Sequence, residues 1–478
     1  MFEPLGGWID GRWITRTPHG TFDVRNPATG ERLATLPVMA DAETVAAIEA
    51  AERAWQIPAP LEARRAWLEG IRDRLLAHRE TLARTITLEN GKPLREARAE
   101  VEYAAGFFGF FATQLHRLEP ETWPGPPPVT QWTVLHSPAG VVGLITPWNF
   151  PLAMLAKKFA AALAAGCAAV IKPALPTPLS AIALARLAEQ SGVPPGRVNL
   201  LLGPPEPIGA VLCRHPAVRL ISFTGSTAVG RRLLAATAPH VKRLALELGG
   251  HAPFLVFEDA DLPAALDALI ANKFRAGGQT CICTNRVYVH QSIAEPFLNA
   301  LAHRVAQLRV GNGLDPQTDI GPLIHRAAFD KVAAHVRDAL ERGAQRLVGH
   351  DPPRPEHDWG AFYPPTVLSR VTTDMLVCRE ETFGPVVPVA TFETEEDAIA
   401  AANNTPYGLA AYFFTRDPAR ARRCIARLRF GHIGWNTGSG PRPETPFGGM
   451  KQSGFGREGG WHGLLEFCEP QVVARAHG

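Results

Sequence analysis

No stretch of this chain stays apolar long enough to cross a bilayer. The longest run, Phe159 to Ile171, is bracketed by Lys157, Lys158 and Lys172. It falls short of the roughly 20 residues a spanning helix needs, and so predicts a buried helix leading into a strand. An excess of one charge is also missing: 49 Lys and Arg against 46 Asp and Glu leave +3 over 478 residues. No Lys/Arg run forms a basic stripe, so a nucleic-acid partner is not expected. Cysteine is sparse and odd in number, seven in all, with no metal-like cluster. That excludes a disulfide framework, gives no zinc or other metal site, and suits reduced thiols in the cytoplasm. The segment from Met1 to Leu5 lacks a basic region followed by an apolar core, so no secretory leader is expected. Internal repeats, coiled-coil heptads and disordered low-complexity tracts are absent as well.

What the chain does have is length and alternation. At about 150 residues per domain, it has room for roughly three domains. Ala-rich helical segments alternate with short β-branched runs, the pattern of helices packed on a parallel sheet, so the fold class is α/β. Asp41 to Ala54 and Leu61 to Asn90 read as helices, and Gly140 to Ile145 as a strand that presents Pro147, Trp148 and Asn149 at its end. Ala168 to Lys172 is the next strand, Pro178 to Ser191 a helix, Val198 to Leu201 a strand, and Leu220 to Phe223 a strand ending in Thr224-Gly225-Ser226. Polar and small residues thus gather at strand carboxyl ends, where open α/β sheets bind nucleotides. Pro120 to Pro128 cannot lie inside a helix and marks an excursion from the first domain.

One segment suggests chemistry directly. Gly278-Gln279-Thr280-Cys281-Ile282-Cys283-Thr284-Asn285 puts a thiol among small residues that let a substrate approach. A lone Cys beside Gly is more often a buried packing residue. Here it stands with Pro147-Trp148-Asn149-Phe150-Pro151, Phe223-Thr224-Gly225-Ser226, Glu247-Leu248-Gly249-Gly250 and Glu381-Thr382-Phe383-Gly384-Pro385. These blocks, in this order and approximate spacing, resemble the aldehyde dehydrogenase superfamily. The resemblance runs from Trp8-Ile9-Asp10-Gly11 to Phe447-Gly448-Gly449 and Gly454-Phe455-Gly456-Arg457-Glu458. Lys273-Phe274-Arg275 and the Cys-Ile-Cys run look most like the succinate-semialdehyde dehydrogenase branch.

The resemblance implies a cofactor domain over residues 1–118 and 138–248, and a catalytic domain over 249–450. A small β oligomerisation domain over 119–137 and 451–478 would make the protein a homodimer or homotetramer. No G-x-G-x-x-G fingerprint follows the first strands, which taken alone counts against a nicotinamide enzyme. The family implies another solution, with NAD or NADP held by the helix that Gly225 and Ser226 open, where free N–H groups favour the pyrophosphate. Lys172 would meet the adenosine ribose, Thr146, Pro147 and Trp148 would line the same face, Glu381 would hold the nicotinamide ribose, and Phe383 would back the ring. Many NAD-preferring members carry a Glu three residues after this Lys; Leu175 stands there, so the choice between NAD and NADP stays open.

In the implied reaction Cys281 attacks the aldehyde as a thiolate. Asn149 and the Cys281 N–H form the oxyanion hole, and Glu247 activates the water that cleaves the thioester. Arg275, six residues before the nucleophile, matches an Arg that holds a distal carboxylate. Where the branch has a second Arg, this chain has Lys157, and its Ser-containing loop here reads Pro441-Arg442-Pro443. Three cations, Lys157, Arg275 and Arg442, would favour succinate semialdehyde or a longer relative such as glutarate or 2-oxoglutarate semialdehyde. The alternatives are an uncharged aldehyde, a CoA-acylating relative and a silent family member. Cys283, two residues from Cys281 on a segment read as extended, would point to the same side. It is either a partner for a reversible disulfide or a packing residue.

Overall fold

The computed structural model describes residues 3–476, so the outermost positions of the N-terminal reading and of the domains beginning at 1 and ending at 478 lie outside the described residues. Parallel pairing dominates because each buried strand is followed by a helix that returns the chain to the same end. Val141–Ile145, Ala168–Lys172, Val198–Leu200, Val218–Thr224 and Arg243–Glu247 form the parallel body of an eight-stranded sheet. The antiparallel strands Gly7–Ile9 and Arg12–Ile14 extend one edge, and Gly454–Phe455 closes the other. A second, seven-stranded sheet has the order Gln345–Val348, Thr366–Ser369, Val386–Phe392, Thr284–His290, Ala252–Val256, Ala410–Phe414, His432–Trp435. All its pairs are parallel except the first. A third sheet joins Cys468–Ala476, Val129–Pro138 and Glu121–Pro124.

The apolar run too short for a membrane is the helix Ala153–Ala165, buried at every position but Met154, leading into the strand Ala168–Lys172. Among the described residues no helix is long and apolar enough to cross a membrane. The expected helix from Leu61 to Asn90 is two helices, Leu61–Ala77 and Arg79–Asn90, because His78 leaves the helical conformation at φ −100°, ψ 18°. The segment 451–478, expected to join 119–137 in the oligomerisation domain, also adds a strand to the eight-stranded sheet. Gly454–Phe455 pairs with Leu246 and Glu247 before the chain runs out into the third sheet. That detour carries Glu458 beside the strand end at Glu247.

Candidate active site

Segments flanking strands of both large sheets line a cavity of about 650 Å³, Trp148, Asn149, Glu247, Arg275, Cys281 and Phe383 among them. Asn149 follows the strand Val141–Ile145, and Glu247 ends its own strand. Cys281 sits in the turn that precedes Thr284–His290. Asn149 and Glu247 thus lie at strand carboxyl ends, where open α/β sheets gather ligand groups, while Cys281 comes from the amino end of a strand of the other large sheet. Two glycines permit the approach. A Cβ on Gly250 would lie 2.1 Å from the Cys281 carbonyl oxygen, and one on Gly278, at φ +76°, would lie 2.2 Å from that of Gly384. The glycines flanking the motifs thus let backbone meet backbone as well as leaving space for a substrate.

The half-buried Cys281 thiol donates to Glu247 Oε1 at 3.3 Å. Burial, then the neighbouring carboxylate, pushes that thiol well above its ordinary range, so at rest it holds its proton. Burial also raises Glu247, to about 7, against the opposing pull of Lys157. Asn149 gives one Nδ2 hydrogen to Gln279 O at 2.9 Å, and an amide nitrogen carries two. The second N–H is free for an oxyanion. A thiol, a base with a pKa near neutrality and an amide donor in one cavity can run acyl chemistry.

Several groups fit a dinucleotide. Thr146 and Thr224 carry buried hydroxyls with no hydrogen-bond partner, and both lie at the ends of adjacent sheet strands. Ser226 caps the helix Thr227–Thr237 and accepts from Val229 N at 3.3 Å. Gly225, Ser226, Pro147 and Trp148 line the cavity. Glu381 Oε1 accepts from Gly250 N at 3.0 Å, and burial raises its carboxyl to about 7. Phe383 takes a left-handed φ of 57°, and its ring meets Trp148 edge-on at 5.7 Å. A non-glycine residue held there is strained, a condition that collects at functional sites. Lys172 is buried outside this cavity lining, its ammonium on Pro173 O at 2.6 Å and drawn down to about 8 by burial.

Of the three cations expected to await a carboxylate, two form no salt bridge among the described residues. Arg275 lines the cavity with its guanidinium 5.1 Å from the Phe150 ring centre, and its Nε is buried without a hydrogen-bond partner. Arg442 also lines the cavity, but its side chain is exposed. Lys157 is the exception: its ammonium lies between Glu247 and Glu458 and pairs with both. Burial disfavours that charge, but the two carboxylates outweigh it and hold the proton on.

Cys283 departs from its expected setting. Residues 281–283 form a turn closed by Cys283 N on Thr280 O at 3.2 Å, so the extended-strand argument for two thiols on one side does not apply. Cys283 Sγ is buried against Gly278 O at 3.2 Å, while Cys281 Sγ faces Glu247; both thiols are free.

Sequence reasoning quoted Glu458 within a motif without giving it work, and missed Lys92, Glu96 and Glu100 altogether. Lys92 Nζ donates to Asn149 O at 2.7 Å and to Glu100 Oε2 at 2.5 Å. Glu100 Oε1 in turn accepts from Leu152 N and Ala153 N. Glu96 accepts from the N–H of Ala276, which is held at φ 49° beside Arg275. Nothing local in the sequence marks these residues, because the backbone groups they hold lie 52 to 180 positions along the chain.

The model of the aldehyde dehydrogenase family matches residues 13–473. The glutarate-semialdehyde dehydrogenase of Pseudomonas aeruginosa is 43% identical over 468 residues, 97% of this chain and 95% of that protein. The succinate-semialdehyde dehydrogenase [NADP(+)] of Escherichia coli is 45% identical over 464 residues, 96% of this chain and 95% of that one. Among solved structures, an oxidoreductase from Marinobacter aquaeolei has a TM-score of 0.96 at 53% identity, covering 99% of this chain and 98% of that chain.

Proposed function

The chain belongs to the aldehyde dehydrogenase family, and on that footing we propose that it oxidises an aldehyde with a distal carboxylate, such as succinate semialdehyde, to the acid. Arg275 carries the choice of substrate. A guanidinium that lines the reactive cavity and has a buried Nε without a partner offers a planar fork to a carboxylate. The relatives named for succinate and glutarate semialdehydes agree with a carboxylated aldehyde and leave its length open.

In the reaction Glu247 takes the Cys281 proton, and the thiolate attacks the carbonyl carbon to give a thiohemiacetal. Asn149 and the Cys281 N–H receive the charge on oxygen; removing one such donor costs about 100-fold or more in rate. NAD or NADP, when bound, would supply the hydride acceptor, and Thr146, Thr224, Ser226 and Glu381 would hold it. Hydride departure leaves a thioester on Cys281. Glu247, once ionised again, draws a proton from the water that hydrolyses it. A CoA-acylating enzyme has no need of that base, so Glu247 beside Cys281 favours hydrolysis.

The seven free cysteines fit a reducing cytoplasm. The third sheet, with Val472 and Val473 exposed on its edge strand, fits a contact between copies in a homodimer or homotetramer.

The test compares succinate semialdehyde with butanal in wild type and Arg275→Ala. Loss of a charge-assisted contact worth roughly 1.5–3 kcal/mol should lower kcat/KM for the semialdehyde by about 10- to 100-fold and leave butanal nearly unchanged. Equal losses on both would make Arg275 structural and favour an uncharged substrate.

A further inference from the structure

Glu247 uses its two carboxylate oxygens for different partners. Oε1 accepts from the Cys281 thiol at 3.3 Å, and Oε2 takes the Lys157 ammonium. Lys157 itself is 4% exposed and also pairs with Glu458, whose other oxygen holds Lys158; Lys158 donates to Ser222 Oγ at 3.0 Å as well. Two carboxylates and two ammonium groups balance in this buried cluster. A substrate carboxylate arriving at Lys157 would have to displace one that is already bonded, breaking a buried ion pair to make another.

We propose that Lys157 is a positioning residue for the base: its ammonium, shared between Glu247 and Glu458, keeps Glu247 ionised and turned towards Cys281, and does not anchor the substrate. This rests on Glu247 being the base of the proposed reaction. A carboxyl group buried in a cavity wall without a cation would hold its proton near neutral pH and could take none from a thiol or from water. The contact to Oε2 also holds the carboxylate in the rotamer in which Oε1 meets the thiol. The groups around Glu247 are Lys157 and Lys158 from the helix Ala153–Ala165, Glu458 from the C-terminal segment, Tyr103 from the helix Leu94–Gln114, and Cys281; Arg275 and Glu381 lie farther around the same cavity. Of these, the lysines draw the Glu247 pKa down and Glu458 pushes it up.

Hydrolysis of 4-nitrophenyl acetate tests this without a cofactor and without a substrate carboxylate. The ester acylates Cys281 with a burst of nitrophenolate, and the later steady rate reports hydrolysis of the acyl-enzyme. In Lys157→Met the rising limb of that rate against pH should move up by about 1–3 pH units, the scale of one opposite charge in contact, with the burst recovered once the pH lies above the moved limb. Lys157→Arg should restore the limb. Glu458→Gln should move it down, because Glu247 loses a repelling neighbour and keeps Lys157 to itself. That opposite shift carries the test if Lys157→Met does not fold. An unmoved limb in either variant overturns the proposal, as does a Lys157→Met effect confined to KM for succinate semialdehyde. Failure of the underlying reading looks different: a Glu247→Gln steady rate equal to wild type, or a burst that survives in Cys281→Ala, removes the base or the nucleophile whatever Lys157 does.

Discussion

A thiol held protonated and a carboxyl raised to about 7 form a pair whose activity depends on pH in a definite direction. Glu247 accepts a proton only when ionised, so acyl-enzyme hydrolysis should rise as pH increases through about 7 and flatten above it. Stopped-flow measurement across that range checks the sign; a rate that falls over the same interval would exclude Glu247 as base. Substitution separates its two partners. Cys281→Ala should abolish oxidation while cofactor binding stays measurable by titration, and a tenth of the wild-type rate would remove Cys281 from the mechanism. Glu247→Gln should slow acyl-enzyme hydrolysis more than hydride transfer, because the thiol can also lose its proton to solvent, so reduced cofactor should appear in a burst, slower than in wild type, followed by a still slower phase. Arg275 belongs to this scale too, since its effect is a ratio between charged and uncharged substrates that a purely structural arginine would not produce.

Between residues and domains, the site depends on a clamp formed by two helices and the loop joining them. Asn90, the last residue of Arg79–Asn90, donates to Trp148 O at 2.9 Å, and Lys92 in the loop holds Asn149 O. Glu100, on Leu94–Gln114, accepts from the first N–H groups of the buried helix Ala153–Ala165. The backbone of Asn149, the proposed oxyanion donor, is thus fixed from outside the strand it follows. Lys92→Met would leave Glu100 buried with no cation, a change that costs about 3–5 kcal/mol. Urea unfolding should show that loss, with kcat falling as Asn149 loosens. Lys92→Met combined with Glu100→Leu should recover part of the stability, because the lone charge is gone while the helix N–H groups still lack their acceptor. A double variant no better than the single one would mean that packing, and not charge, sets the loss.

For the whole molecule, the third sheet stands out because its nine-residue strand Cys468–Ala476 lies at an open edge, with Val472 64% and Val473 46% exposed. Such an edge invites pairing with another chain. The protein should therefore run in light scattering at a multiple of its 51.7 kDa chain mass. Val472→Asp with Val473→Asp should shift it towards that mass, since two buried carboxylates would oppose association. A double variant of unchanged mass would exclude this edge as the contact.

The sequence by itself determined the α/β class, the strands that run to Ile145 and Lys172, and the choice of Cys281, Glu247 and Asn149 as candidates, three residues that line one cavity. Those features are local: periodicity follows from a few neighbouring residues, and each motif is a short run whose glycines are demanded by backbone approach. Only the tertiary structure decided what the charges do. Lys157, Arg275 and Arg442 read alike as cations, yet one is paired with two carboxylates, one lines the cavity with an unpartnered Nε, and one is exposed. Glu458 reaches Lys157 from 301 positions away because the tail first adds Gly454–Phe455 to the edge of the cofactor sheet. The turn at residues 281–283 gives the two nearby thiols different partners for the same reason. Pairing energies between buried charges are set by distance and desolvation, and neither is written in the order of residues.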